Sequence, residues 1–375
     1  MRRLLTIAGI CMLALSTPLA AQTDEDAIAR LNALEIKHRN APIDAAALAD
    51  IQSFSVPHAA RDKFTDADLK LLTRLPRLGH LALDGVSGMS PEGLAALGEM
   101  PELWSLSFAN SGITDAHVEA LAGIGKLASL NLTMNRAVSD AALPSIAGHK
   151  GLKALNVDAT SISDAGVAAL AGHPALERLS AGQTGLTDAA LVHMGSIPSL
   201  QAINIGGTKI TGSGFVHLRP LPAFAEIAAM SAPVTDEGMA HLAGSPSLQR
   251  LFIWRTQVTD ATLPHLATMP KLDTVYLDYT GITDAGLVAL GDHPSLRTLW
   301  VSETAVGDEG MKAIASTNIT SIMANKTNVG DQGLLTLAGI ATLANISVRD
   351  TNVTDAGIEA AMALSGRHEK VSIRK

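Results

Sequence analysis

The sequence predicts an α/β solenoid, a parallel sheet of short strands on a concave face backed by short helices on the convex side. Three observations carry that prediction. A unit returns about every 24 residues from Ile51 to Gly366, most clearly as LDTVYLDYTGITDAGLVALGDHP from Leu272 to Pro294. Within that copy Val275 and Leu277 alternate with polar or aromatic neighbours, the period-two pattern of a short strand with one buried face. Ile282, Leu287 and Leu290 follow at helical spacing, and Thr283 between the two patterns is a helix-capping residue type. One such unit cannot bury its own apolar face, so neighbours must stack into a continuous core.

The unit is numbered from its first leucine, with Leu272 at position 1. Position 12 is filled by Thr65, Ser90, Thr114, Ser139, Ser163, Thr187, Thr211, Thr235, Thr259, Thr283, Gly307, Gly330 and Thr354. A small hydroxyl or a bare backbone there satisfies the orphan amides of a first helical turn. Ser90 precedes Pro91, and proline is favoured only at the first helical position, which fixes the register. Pro174, Pro198, Pro222, Pro246, Pro270 and Pro294 follow the helices. Thirteen units start near Ile51, Leu78, Leu103, Leu127, Leu152, Leu176, Leu200, Phe224, Leu248, Leu272, Leu296, Ile319 and Leu343.

The pattern LxxLxLxxTxITDAGLxxL resembles the leucine-rich repeat family, and within it the cysteine-containing subtype with its LxxLxLxxCxxITDxGL signature. Threonine takes the cysteine place at Thr160, Thr184, Thr208, Thr256, Thr280, Thr304, Thr327 and Thr351. Hydroxyls there are expected to donate to loop carbonyls of the adjacent coil. The resemblance implies a right-handed solenoid, or horseshoe, with a parallel concave sheet and short convex helices. It covers most of the chain and says little about function, because such scaffolds host many.

Taken in order, residues 1–21 read as a secretory signal. Arg2-Arg3 precede the apolar run Leu4 to Leu15, and Ser16 to Ala21 ends in small residues. The run is short for a membrane span. Cys11 lies behind Ile10 rather than a small residue, so no lipid anchor is expected. Residues 22–50 are expected to form a helical N-terminal cap. Thr23 can cap its helix, Asp24, Glu25 and Asp26 suit the positive end, and Ile28, Leu31 and Leu34 make one apolar face. Pro42 to Asp50 reads as a degraded half-unit covering the open core. The repeats occupy 51–366, the first stretched by a longer loop from Pro57 to Asp62. Residues 367–375 are expected to add a last cap strand, Val371 to Ile373, whose basic flanks discourage edge-to-edge pairing.

Composition narrows the function classes. Losing residues 1–21 removes two arginines and no acid, so a formal charge of −8 becomes about −10. The remaining chain has no cysteine, which excludes disulfides, thiolate zinc sites and cysteine nucleophiles. The negative balance argues against nucleic acid and anionic membrane surfaces. Export without thiols fits a bacterial periplasm or the exterior.

Strand residues between the leucines face the concave surface. Position 5 runs Ser107, Asn131, Asn156, Ser180, Asn204, Ala228, Phe252, Tyr276, Trp300, Met323, Ser347, a small polar ladder that turns aromatic for three consecutive strands. Position 7 adds Trp254 and position 8 adds Tyr279, while the other aromatics scatter, several at core positions. Arg250, Arg255, Asp278, Glu303 and Arg349 interleave the cluster. Apolar surface rimmed by charge marks a binding site, and Trp, Tyr and Arg dominate interface hot spots. The competing reading is that the rings merely stack across strands and stabilise the sheet. His193, His217, His241 and His265 repeat at position 18, on helices too far apart to converge on zinc. The recurrent aspartate at position 13, as in Asp66, Asp115, Asp164, Asp236 and Asp284, reads as a first-turn acid favoured by the helix dipole.

These readings describe an exported scaffold that captures a protein partner on its concave face. Phe252, Trp254, Tyr276, Tyr279 and Trp300 would anchor the partner, and the five charged residues would set specificity. The chain is expected to be monomeric, with no cofactor or metal, no nucleic-acid partner and no membrane span. Carbohydrate binding on the same rings is the alternative. Glycoside hydrolysis by Asp278 and Glu303 is a third reading. An open sheet is expected to lack the pocket that would raise one carboxyl pKa and exclude water, so no enzyme activity is expected.

Overall fold

The structure, a computed structural model, describes residues 23–38, 41–365 and 372–374. The expected signal over 1–21, and residues 367–371 and 375 of the expected C-terminal cap, lie outside the described residues. A sheet of 14 strands runs in sequence order from Ser53–Ser55 to Ser372–Arg374, with every pairing parallel. At about 4.8 Å per strand it is about 60 Å long, open at both ends. Each strand is short because only the LxL segment of a coil alternates. The chain then turns and returns along the convex side through a short α or 3₁₀ helix. Leu272, Val275, Leu277, Ile282, Leu287 and Leu290 are all 0% exposed, so one coil contributes six side chains to the layer between sheet and helices. Each such burial is worth about 1.5–3 kcal/mol, and most of it depends on the coils above and below.

Convex helices are brief, as Asp284–Leu287 shows before it tightens into the 3₁₀ turn Val288–Leu290. Pro144 and Pro264 start the helices Leu143–Gly148 and Leu263–Ala267 late, after 3₁₀ turns at Asp140–Ala142 and Asp260–Thr262. The last described strand is Ser372–Arg374, in which Ile373 pairs with Ile346 and packs against the core.

Two side-chain columns differ from the sequence reading. The position-9 threonine hydroxyls do not reach the adjacent coil. They donate to a carbonyl three residues back in their own coil, as in Thr184 to Ala181 (2.6 Å) and Thr304 to Val301 (2.6 Å). Ser111, which donates to the Leu83 carbonyl, and the longer Asn135, which donates to that of Phe108, do make the inter-coil bond.

The position-13 aspartates do more than favour their own helix. Each accepts the backbone N–H, and where present the hydroxyl, of the next coil's cap residue. Asp164 takes Thr187 N at 2.8 Å and its hydroxyl at 2.6 Å, and the same bridge joins Asp66 to Ser90 and Asp331 to Thr354. This bridge also explains the glycine of the DAG motif. A Cβ on Gly310 or Gly333 would sit 2.5 Å from the bridging carboxylate of Asp284 or Asp308. Pro91 and Gly212 interrupt the aspartate column. Thr114 is then closed by its own His117, and Thr235 N donates to the Thr211 carbonyl. At that second junction a Cβ on Gly238 would press on the Thr211 carbonyl and lie 2.8 Å from the Gly212 Cα. Gly238→Ala is therefore expected to destabilise the chain by about 1–3 kcal/mol, although alanine is the better helix former by about 1 kcal/mol. The urea midpoint reads this directly, and an unchanged or raised midpoint contradicts the close packing.

At the N-terminal end the helix Asp24–Ala33 buries Ala27 and Leu31, and Asn32 holds Ile43 through both its backbone groups. Arg30 reaches from this helix to Asp68, 1% exposed, in the first coil's helix Asp66–Leu72.

Candidate functional site

Position 8 of every coil from Leu78 to Leu343 adopts left-handed backbone, with glycine there only at Gly85 and Gly207. Across the C-terminal coils it carries Arg255, Tyr279, Glu303, Lys326 and Asp350, at φ of 51–56°. A left-handed non-glycine residue costs about 1–2 kcal/mol, so the stacked coils must hold each one in place. The result is a rail of side chains at the carboxyl ends of the strands. Arg255 lies 4.5 Å from the Tyr279 ring centroid and 5.5 Å from that of Trp254. Tyr279 precedes Glu303 in the rail, and Glu303 pairs with Lys326 at 2.5 Å. The Lys326 hydrogen bond and charge hold the Glu303 carboxyl below its usual range, and Glu303 in turn raises Lys326.

This rail walls a cleft of about 480 Å³ on the concave face. Trp254, Tyr276, Asp278, Tyr279, Trp300, Glu303 and Arg349 line it, so seven of the sequence-predicted residues meet there. The other three do not. Phe252 packs its ring 4.8 Å from Tyr276 at 62°, Arg255 braces the rail, and Arg250 pairs with Glu226 at 2.6 Å. Sequence reading missed Ser302, Met323, Asn325, Lys326 and Asp350. Following the position-7 and position-8 columns past the aromatic coils would have found four of them.

The rings are not free platforms. Tyr276 and Trp300, on strands Thr274–Tyr276 and Thr298–Trp300, stack at 3.7 Å and 2°, so their faces are turned to each other. Cross-strand stacking and cleft lining are thus done by the same residues. Tyr279 is the exposed ring of the five, at 44%. Trp104, expected among the scattered rings, is exposed at the far end of the molecule, beside Gly79 and His80. His217 and His241 are exposed on the convex side, and no group of His, Cys, Asp or Glu among the described residues could hold a metal ion.

The expectation that an open sheet offers no pocket to shift a carboxyl is wrong. Asp278 is 8% exposed, its Oδ1 accepts the Ser302 N–H at 2.8 Å, and burial pushes its pKa above the usual carboxylate range despite that bond. Asp84 and Asp158 bridge coils at the same position, but each also receives a serine hydroxyl from the strand beside it. Trp300 occupies that place next to Asp278 and donates nothing to it. A raised folded-state pKa means the ionised carboxyl opposes folding at neutral pH, a penalty that disappears as pH falls through that pKa toward the unfolded value near about 3.9. Asp278→Asn keeps the acceptor and is expected to raise the urea midpoint at pH 7, the gain vanishing on acidification. A midpoint difference independent of pH would argue against the buried charge.

No curated protein matches the chain in sequence. The leucine-rich repeat family profile matches residues 292–315. An internalin (InlF) from Listeria monocytogenes is similar in structure, at 19% identity and TM-score 0.53 over 94% of both chains. The mouse RP105/MD-1 complex gives 13% identity and TM-score 0.57, covering 82% of this chain and 56% of that one. The TLR13–ssRNA13 complex gives 15% identity and TM-score 0.54, covering 76% of this chain and 41% of that one. Open parallel sheet, short convex helices, the matched repeat and these likenesses agree: the chain has the leucine-rich repeat fold.

Proposed function

We propose that the chain is an exported binding scaffold that holds a protein partner in the concave cleft walled by Tyr279, Glu303 and Lys326. One observation carries the reading. The cleft combines an apolar floor with a preorganised charged wall, on a scaffold that commits several left-handed residues to building that wall. The similar RP105/MD-1 and TLR13–ssRNA13 structures are complexes, which supports a binding role for such scaffolds. Carbohydrate binding is the second reading. It is less favoured because a sugar stacks on an open ring face, and Tyr276 and Trp300 each cover one face of the other.

The test uses the full chain and its Trp254→Ala/Trp300→Ala variant as matched baits for envelope proteins and for cell-wall glycans. A protein ligand should lose about 2 kcal/mol or more of affinity, about 30-fold, in the variant. Unfolding midpoints of both baits control for the lost ring stack. Equal retention of the same protein by both baits sinks the assignment. Glycan retained by the first bait alone moves it to the second reading.

A further inference from the structure

The charges around the cleft are not equivalent. Glu303 and Lys326 close on each other, and Arg255 is spread over two rings. Asp278 is buried on the Ser302 amide, and Asp350 faces Lys326. Arg349 is different. It lines the cleft, is exposed, and pairs with no carboxylate among the described residues. One strand further, Arg374 stands exposed on the same concave face, because its neighbour Ile373 turns inward opposite Ile346. Arg349 on the cleft and Arg374 on the adjoining strand thus lie toward one end of a trough floored by Tyr276, Trp300 and Met323, in a chain of net charge −8.

The dimensions restrict what fits. A cavity of about 480 Å³ lies in the range of about 300–1,000 Å³ that encloses small ligands, enough for one or two side chains rather than a flat protein surface. Trp300 and Arg349 belong to coils two strands apart, about 10 Å across the sheet. A polyproline II segment repeats its face every three residues at about 3.1 Å each, about 9 Å. A chain crossing the strands in that conformation would set one side chain over the rings and its third successor at the guanidiniums.

Resting on the protein-binding reading, we propose that the cleft receives an extended, polyproline II-like segment of the partner that carries an apolar side chain and, three residues on, an acidic one. The aromatic trough takes the first and Arg349, with Arg374 beside it, pairs with the second. Arg is suited to this by its planar, bidentate fork.

The experiment titrates the full chain with three capped tetrapeptides, Phe-Pro-Pro-Asp, Phe-Pro-Pro-Asn and Phe-Pro-Pro-Lys, following tryptophan fluorescence. Two of the three tryptophans sit in the cleft and Trp104 gives a constant background. The Asp peptide is expected to bind about 10-fold or more tighter than the Asn peptide, and Arg349→Gln should erase that preference without moving the unfolding midpoint. Equal binding of Asp and Asn peptides, preference for Lys, or no binding up to about 10 mM overturns the proposal. If no peptide binds while partner capture still requires Trp254 and Trp300, this inference falls and the protein-binding reading stands. Capture insensitive to those tryptophans removes both.

Discussion

Asp188→Ala is expected to destabilise the fold by about 3 kcal/mol, more than most surface aspartates, because its carboxylate belongs structurally to the next coil. It accepts Thr211 N at 3.0 Å, the Thr211 hydroxyl at 2.7 Å, Gly212 N at 2.9 Å and Gly214 N at 3.1 Å. Each buried donor left without a partner costs about 1–3 kcal/mol, and partial access to water keeps the total below the sum. Burial raises the Asp188 pKa, but the bonds from Thr211, Gly214 and Gly212 outweigh it and leave the carboxyl below its usual range. A depressed folded-state pKa gives stability that is present above the unfolded value, near about 3.9, and lost as pH falls through the folded one. The gap between wild type and variant should therefore be full at pH 7 and close in acid. Amide exchange supplies the local readout. Thr211, Gly212 and Gly214 should lose protection before the rest of the array, and protection unchanged at those amides would contradict the junction.

Arg30→Ala is expected to undock the N-terminal helix at a cost of about 2–3 kcal/mol. Removing one partner of a buried pair leaves an uncompensated charge, typically a loss of about 3–5 kcal/mol, and the lower figure reflects that Arg30 itself is 39% exposed. Asp68 is almost fully covered and also accepts Thr65 N and its hydroxyl. Burial pushes its pKa up, while the Arg30 and Thr65 bonds outweigh that and hold it down. By the same sign, this contact also weakens in acid, below about pH 4. Limited proteolysis at Leu34–Lys37 checks the outcome. Arg30→Ala should be cut faster than wild type at pH 7, and Arg30→Ala/Asp68→Asn should recover part of the resistance. Equal cutting of all three would show that apolar packing of Ala27 and Leu31 holds the helix alone.

Much of the fold was legible because each coil repeats one solution to burying apolar side chains. The alternation at Val275 and Leu277 and the cap at Thr283 are local signals, readable without knowing the neighbours. The inter-coil bonds were not legible for the opposite reason. Asp164 and Thr187 lie 23 residues apart and meet only when coils stack, so a helix-dipole role was all the sequence offered. The site divides the same way. Residue type identified the rings, but the wall beside them stands on left-handed backbone at Tyr279, Glu303 and Lys326, which no residue type there announces. Arg250 looked like part of the rim until Glu226, one strand away, claimed it.

The aspartate bridge has a direction. The acceptor always sits on the earlier coil and the donors on the later one, so each unit carries half a joint on either side. The first coil, preceded by the N-terminal helices rather than by another coil, closes its own cap through Asp68. An in-frame duplication of a unit that carries both cap and aspartate would therefore insert a copy whose two half-joints match both neighbours, and the array would lengthen with no compensating substitution. Starting the array one coil later is not equivalent, since the new first cap would keep its donors and lose their acceptor. The coil order thus carries a polarity of growth, tolerant of internal copying and sensitive to loss from the N-terminal side.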